Sequence, residues 1–372
     1  MRGEISLPRP IAEFPWRVVI PLALLVAFGA AVLHSAAGGS MSPYATSHLV
    51  RFGVFLVMAL IMSYFPEDWA RMAAIPVYAV VVLLLLAVEV YGQLGGGSQR
   101  WLELGFMRLQ PSELMKPGIV LIVAAFYHSL PAAMIASWRA LLVPLGITAL
   151  PMGLVLLQPD LGTALAIGFG GIVVMFLAGI PQKWFISGGV AAVIAVPIAF
   201  FFVLKPYQQQ RVMTFLDPES DPLGTGYHIT QSKIAIGSGG IVGKGFGEGS
   251  QSQLDYLPEP HTDFVFATMA EEWGLVGGLF VLLVFGIVLR WGLLVARDAQ
   301  TRFARLLAAG MTATIFFYVA VNLMMVMGLA PVVGIPLPFM SHGGSSMMTN
   351  MICVGALMMV ERWNRQSARS AF

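Results

Sequence analysis

Ten stretches of this chain stay apolar for about the 20 residues that a helix needs to cross a bilayer. They lie near residues 16–37, 48–65, 72–91, 111–130, 139–157, 161–179, 185–204, 272–290, 305–327 and 345–360. Hydrocarbon offers backbone N–H and C=O groups no partner, so such runs must fold as helices. They take up most of the 372 residues, and composition agrees: 58% hydrophobic, 11% charged, mean hydropathy +0.80. Ordinary soluble domains carry roughly 25% charged residues. A soluble enzyme and a disordered chain are therefore excluded. The balance of 21 basic and 19 acidic residues gives no global field for nucleic acid. The expected fold is all-α and polytopic, with about ten transmembrane helices. It forms a single membrane domain over residues 1–372, with one long ordered extracytoplasmic loop, residues 205–271, between helices seven and eight.

The first run follows Arg2, Arg9 and Arg17, as a signal peptide would, but the even count of spans fits a retained helix better. With ten spans, both termini share a face with the loops around Arg71, Arg139, Lys183 and Arg290–Arg305. That face holds 13 of the 21 Lys and Arg residues, which predicts that it is cytoplasmic. The lone cysteine, Cys353, has apolar neighbours and reads as a small buried hydrophobe.

Four polar segments fall on the other, external face: Ser98–Lys116, Gln158–Thr163, Lys205–Glu272 and Gly328–Ser346. Their convergence there is a site hypothesis, set against four independently solvated loops. The longest carries Phe215, Leu216, Ile229, Phe246, Leu254 and Tyr256, apolar side chains available to pack, so it reads as ordered. Its glycine-rich run from Gly237 to Gly249 lacks both the Walker A and the G-x-G-x-x-G spacing. It reads either as backbone meant to approach a bulky ligand or as a plain turn.

Glu113 and Lys116, at i and i+3, share a helix face at the entrance of the fourth span. They form either a structural ion pair or part of a wet site. Asp160 can cap the sixth span through the N–H of Gly162 or Thr163. The densest constellation is Glu259-Pro-His261-Thr-Asp263, just before the eighth span. These groups suit metal binding or proton transfer. Asp263 sits where polar sequence turns to Phe264-Val-Phe266, a partly desolvated place that raises a carboxylate's pKa. The alternative is an N-cap.

Several of these segments resemble the SEDS family of bacterial cell-wall proteins. The residues concerned are Arg108-Leu-Gln-Pro-Ser-Glu-Leu-Met-Lys116, Gln158-Pro-Asp-Leu-Gly-Thr163, Phe215-Leu-Asp-Pro218, Gly226-Tyr-His-Ile-Thr-Gln-Ser-Lys233 and Pro258-Glu-Pro-His-Thr-Asp-Phe264. Asp221–His228 and Gln251–Pro258 are closer to the elongation members than to the division members. One departure is Ser341-His342-Gly-Gly344, where the family usually reads Ser-Tyr-Gly-Gly.

The resemblance implies a peptidoglycan glycosyltransferase in the bacterial inner membrane, polymerising lipid II on its outer face. It would work beside a class B penicillin-binding protein and other membrane proteins of the elongation machinery. The family motif makes Asp263 the catalytic residue. One carboxylate base suffices when the leaving group is a lipid pyrophosphate, which departs without a proton once cations neutralise it. Lys116, Arg211 and Lys233 are the expected pyrophosphate cations, with Glu113, Asp160, Glu259, His261 and Ser341 as further substrate-binding candidates. No cofactor is required, although a divalent cation, magnesium or manganese, is a candidate. A lipid flippase or transporter is the competing class. Against it, the ionisable residues crowd one face, whereas a translocation path needs them through the midplane.

Overall fold

The computed structural model describes residues 14–91, 93–95, 98–103, 108–202, 206–217, 224–254, 256–257 and 259–370. Each of the ten expected spans is a helix: α1 (Trp16–Ala36), α2 (Tyr44–Met62), α3 (Glu67–Tyr91), α4 (Pro111–Ser129), α5 (Trp138–Leu157), α6 (Leu161–Leu177), α7 (Gln182–Phe202), then α11 (Val265–Arg297), α12 (Arg302–Val326) and α13 (Gly344–Ser370). Between α7 and α11 the described residues form three shorter helices, α8 (Pro206–Leu216), α9 (Thr225–Ser238) and the single turn α10 (Ser250–Gln253).

Seven of the ten spans among the described residues are long and apolar enough to cross a membrane on composition alone. The other three are α4, α6 and α13. Helix α6 is apolar but only 17 residues long. Helices α4 and α13 carry polar side chains that are buried against protein, such as Glu113, Lys116, Thr349 and Asn350. Protein partners replace the lipid there, so the sequence can be more polar. At the other extreme, α7 is exposed along its length. The chain is a multi-pass membrane protein.

Contacts sort the loops into two faces. On one, Thr301 bonds Glu67 (2.7 Å), Trp363 bonds the Phe65 carbonyl (2.9 Å), and Arg302 reaches the Leu130 and Ala178 carbonyls (3.3 and 3.0 Å). These residues come from the termini and loops expected to share the basic face. On the opposite face lies an element that the all-α expectation omitted: a small antiparallel sheet β1-β2-β3, formed by Gln93–Gly95, Ser98–Glu103 and Arg108–Leu109. Its register pairs Gly95 with Ser98 and Leu102 with Leu109.

The eighth span begins at Val265 rather than near residue 272, and it is broken. Gly274 stands at φ 60°, ψ −154°, inside α11. The break frees backbone groups on both sides, and the glycine-rich turn takes them up. The N–H groups of Lys244 and Gly245 donate to the carbonyls of Glu271 and Glu272 (3.0 and 3.1 Å). Those of Leu275 and Val276 donate to Gly240 and Ile241 (3.0 and 3.1 Å). Lys244 Nζ also pairs with Glu271 (2.6 Å), whose carboxylate accepts from the Gln251 N–H (3.1 Å). Gly239 and Gly243 are thus needed for approach to this chain's own backbone, a role that the expectation of a ligand loop or a plain turn did not include. A Cβ on Gly243 would lie 2.0 Å from the Glu272 carbonyl oxygen, at φ +82°. Gly243→Ala is expected to cost well over 1 kcal/mol, because strain and a backbone clash add. A lowered melting temperature and protease cutting within residues 239–249 would report it. An unchanged melting curve would refute the docking role.

The external segment packs only in part as expected. Ile229, Ser232, Ala235 and Leu257 are buried, whereas Leu216 (70% exposed), Phe246, Leu254 and Tyr256 face outward.

Candidate active site

Asp263 sits at the foot of α11 between two buried anchors, Leu257 and Phe264. The N-cap of α11 is Phe264, and no side chain caps it. Asp263 is therefore not spent on capping, and its carboxylate is left for other work. The approach is stiff: Glu259 stands at φ 47°, and Thr262 Oγ1 donates to its carboxylate (3.1 Å). Burial pushes the Asp263 carboxyl up to about 6, and the neighbouring Glu259 carboxylate adds to the effect.

Residues 328–343, between α12 and α13, clamp this segment. Ser341 Oγ donates to the Thr262 carbonyl (2.6 Å) while accepting from the Leu337 N–H (2.9 Å). The His342 N–H donates to the His261 carbonyl (2.8 Å). Asn322 of α12 spans both pieces, its Nδ2 donating to the carbonyls of Asp263 (2.9 Å) and Ile335 (2.7 Å). The Asp263 carboxylate lies against Gly334, at φ +71°, where a Cβ would come within 3.5 Å of Oδ2. Asn322→Ala strands the buried Ile335 carbonyl, at roughly 1–3 kcal/mol, and the part-buried Asp263 carbonyl at less. We expect a clear drop in melting temperature, and full thermal stability would show that the clamp does not depend on Asn322.

Next to Asp263, His261 stacks on Tyr44 of α2 with ring centroids 3.9 Å apart, and Tyr44 meets His342 edge-on at 5.2 Å. His342 Nε2 lies 3.0 Å from Arg51 Nη1 and 3.1 Å from Ser47 Oγ. Arg51 can only donate, so Nε2 accepts and His342 is neutral. Burial, then Arg51 and His261, lower its pKa to about 4, in keeping with that state. Arg51, Arg108, Trp101 and His342 line a groove of about 650 Å³, whose outer wall includes Val50 and Val54. Those two valines are 60% and 59% exposed. The groove therefore offers guanidinium groups beside a lipid-facing apolar wall.

Lys116 is placed differently from the expectation. It is 1% exposed, its ammonium 2.5 Å from Glu113 Oε1 and 2.7 Å from the Tyr318 hydroxyl, which in turn donates to Glu113. A pyrophosphate cannot reach an ammonium enclosed in this way, which corrects the expected contact for Lys116 and for its partner Glu113. Tyr318 lies about one helical turn from Asn322 on α12, so the triad and the residue that holds the Asp263 carbonyl share one helix face.

Asp160 caps α6 by accepting from the Thr163 N–H (3.1 Å). It also receives Gln110 Nε2 (3.2 Å) and pairs with Arg100 (3.8 Å). Lys233 is exposed on α9, its stem along Gly328 at the start of the clamp. Arg211 lies on α8, and its side chain is outside the described residues.

All four polar segments thus meet. Arg100 and Gln110 join the first to the second. Gly162 abuts Val333, joining the second to the fourth. Ser341 and His342 join the fourth to the third. Reading the sequence had singled out neither Tyr44, Tyr318 nor Asn322, although the last two are polar at i and i+4 within an apolar span. That is a costly placement which itself signals a role. Among the described residues, no three His, Cys, Asp or Glu side chains converge to hold a metal. A divalent cation therefore finds no cage of protein donors there.

The family model described as "Cell cycle protein", FtsW/RodA/SpoVE, matches residues 15–366. Among curated relatives, the peptidoglycan glycosyltransferase MrdB of Escherichia coli K12 is 43% identical over 363 residues, 96% of this chain and 95% of its own. A solved chain from work titled "Structural coordination of polymerization and crosslinking by a peptidoglycan synthase complex" superposes with a TM-score of 0.83 at 34% identity, covering 94% of this chain and 98% of its own. The crystal structure of the rod shape determining protein RodA of Thermus thermophilus superposes with a TM-score of 0.70 at 30% identity, covering 93% and 96%.

Proposed function

This chain belongs to the FtsW/RodA/SpoVE family of cell cycle proteins, and on that footing we propose that Asp263 is the general base of the glycosyl transfer it carries out. The chain is a peptidoglycan glycosyltransferase of the elongation type, polymerising lipid II into glycan strands. The observation that carries the assignment of Asp263 is a carboxylate freed from capping, rigidly clamped, and poised by burial at about 6. A base tuned to that range is mostly ionised at neutral pH and still basic enough to take a proton.

In the proposed step, the Asp263 carboxylate removes the proton from the 4-hydroxyl of the acceptor sugar. The oxygen attacks the donor's anomeric carbon, and the bond to undecaprenyl pyrophosphate breaks with inversion. Pyrophosphate takes both electrons of that bond and leaves unprotonated. Arg51 and Arg108 in the groove hold it by charge-assisted hydrogen bonds, with its lipid along Val50 and Val54. Lys233 and Arg211 serve the second lipid-linked pyrophosphate. Ser341, His342 and Asn322 act on Asp263 only by positioning it, while Glu259 raises its basicity.

The excess of Lys and Arg on the face of the termini supports an orientation with both termini cytoplasmic and Asp263 external. A class B penicillin-binding protein is the proposed partner, supported by the likeness to a chain from a polymerising and cross-linking complex. Liposomes carrying lipid II only in the outer leaflet test the function. Glycan chains should form there while labelled lipid II stays in its leaflet. Leaflet scrambling without chain growth would favour a flippase instead.

A further inference from the structure

On the face opposite Asp263, the N-terminal end of α1 and the C-terminal ends of α11 and α13 enclose a groove of about 750 Å³ that the glycosyl transfer does not use. Four of its lining residues are arginines: Arg17, Arg290, Arg297 and Arg365. Two are already balanced, Arg297 by Asp298 (2.9 Å) and Arg365 by Glu361 (2.7 Å). Arg17 and Arg290 are exposed and have no carboxylate within 4.0 Å among the described residues. The groove thus keeps a net charge of two positive units at the membrane boundary.

Among its other lining residues, Ile287, Trp291, Leu294, Val295 and Ala368 are apolar. Ile287, 45% exposed, lies about one turn of α11 from Arg290 on the hydrocarbon side, and Leu294 lies about one turn away on the side of the termini. Trp291 also lines it, and its buried indole N–H has no acceptor among the described residues. The framework is fixed, because Asn364 Nδ2 of α13 donates to the Val295 carbonyl of α11 (3.1 Å).

We propose that this groove binds the phosphodiester headgroup of an anionic glycerophospholipid from the leaflet on the side of the termini. Two forked guanidiniums match the oxygens of one phosphodiester. Ile287, on the hydrocarbon side of Arg290, then lines the path of the acyl chains. A soluble phosphate would meet the same arginines but gain nothing from that wall, so the observations favour the lipid. Basic pockets between spans at this depth are where anionic headgroups bind.

Native mass spectrometry of the full chain, released from detergent micelles doped with phosphatidylglycerol, tests the proposal. Wild type should retain one phosphatidylglycerol, and R17Q/R290Q should retain about tenfold less or lower, given the charge removed. R290Q alone, a change at an exposed position, should lose severalfold. R139Q, on the same face but outside the groove, should match wild type. Phosphatidylcholine should not be retained, and excess inorganic phosphate should not displace the lipid. Equal retention by R17Q/R290Q and wild type, or equal retention of phosphatidylcholine, would overturn the site. Displacement by inorganic phosphate would mean that the groove takes a soluble anion instead.

Discussion

Asp263→Asn is expected to abolish most polymerisation and yet yield a more stable protein. The amide keeps the shape of the side chain but cannot take a proton, so the rate on lipid II should fall by roughly 10²–10⁴-fold. The stability change has the opposite sign. Because folding raises the Asp263 pKa from 3.8 to about 6, the folded state binds that proton more tightly than the unfolded one. The favourable contribution is complete below pH 3.8 and is lost as pH rises through about 6. At pH 7 and above the ionised carboxylate is therefore a liability on the order of 2–3 kcal/mol, which the amide removes. Thermal unfolding should show the variant melting above wild type at pH 7.5, with the gap closing toward pH 4. In wild type, the rate at limiting lipid II should climb from pH 5 to pH 7 with a midpoint near 6 and then level off. A fully active variant, or a rate that falls over that range, would remove Asp263 from the role of base.

The second large effect concerns the buried triad. Lys116→Met leaves the Glu113 carboxylate enclosed with only a hydroxyl for company. Breaking a buried pair from one side costs about 3–5 kcal/mol, enough to empty the membrane fraction of folded protein. The double variant Glu113→Gln/Lys116→Met removes both charges and keeps the volume. It should recover most of the melting temperature and polymerise within about tenfold of wild type. A double variant that folds well and makes no glycan would put Lys116 back on the substrate.

The contrast between these two residues shows what a sequence of this kind reveals. The partial burial of Asp263 was legible because its position at a polar-to-apolar boundary already dictates it. Asp160 was legible too, since a capping residue needs only its own next turn. Lys116 was not. Its spacing from Glu113 correctly gave a shared helix face, but a one-dimensional pattern does not say whether that face meets water or another helix. Tyr318, some 200 residues away in sequence, closes the triad.

The ten spans could be read from length and apolarity alone, because lipid leaves the backbone no other solution. The sheet over residues 93–109 and the break at Gly274 could not. The sheet is built from strands too short to carry a periodic signal. The break depends on the glycine-rich turn, which supplies hydrogen bonds from a distant part of the chain. Nothing in the sequence pattern marks Arg51, and its contact with His342 requires the fold.

The break at Gly274 also changes what holds α11 in line. An unbroken α11 would transmit every tilt and flex of its lipid-facing length to residue 263 as a rigid rod. Instead, one turn bonds to Glu271 and Glu272 on one side of the break and to Leu275 and Val276 on the other, so the bend at Gly274 is held by a distant part of the chain and not by the helix's own ladder. The direction in which the Asp263 end of α11 points is then set by hydrogen bonds to loops as well as by the axis of its membrane-spanning length.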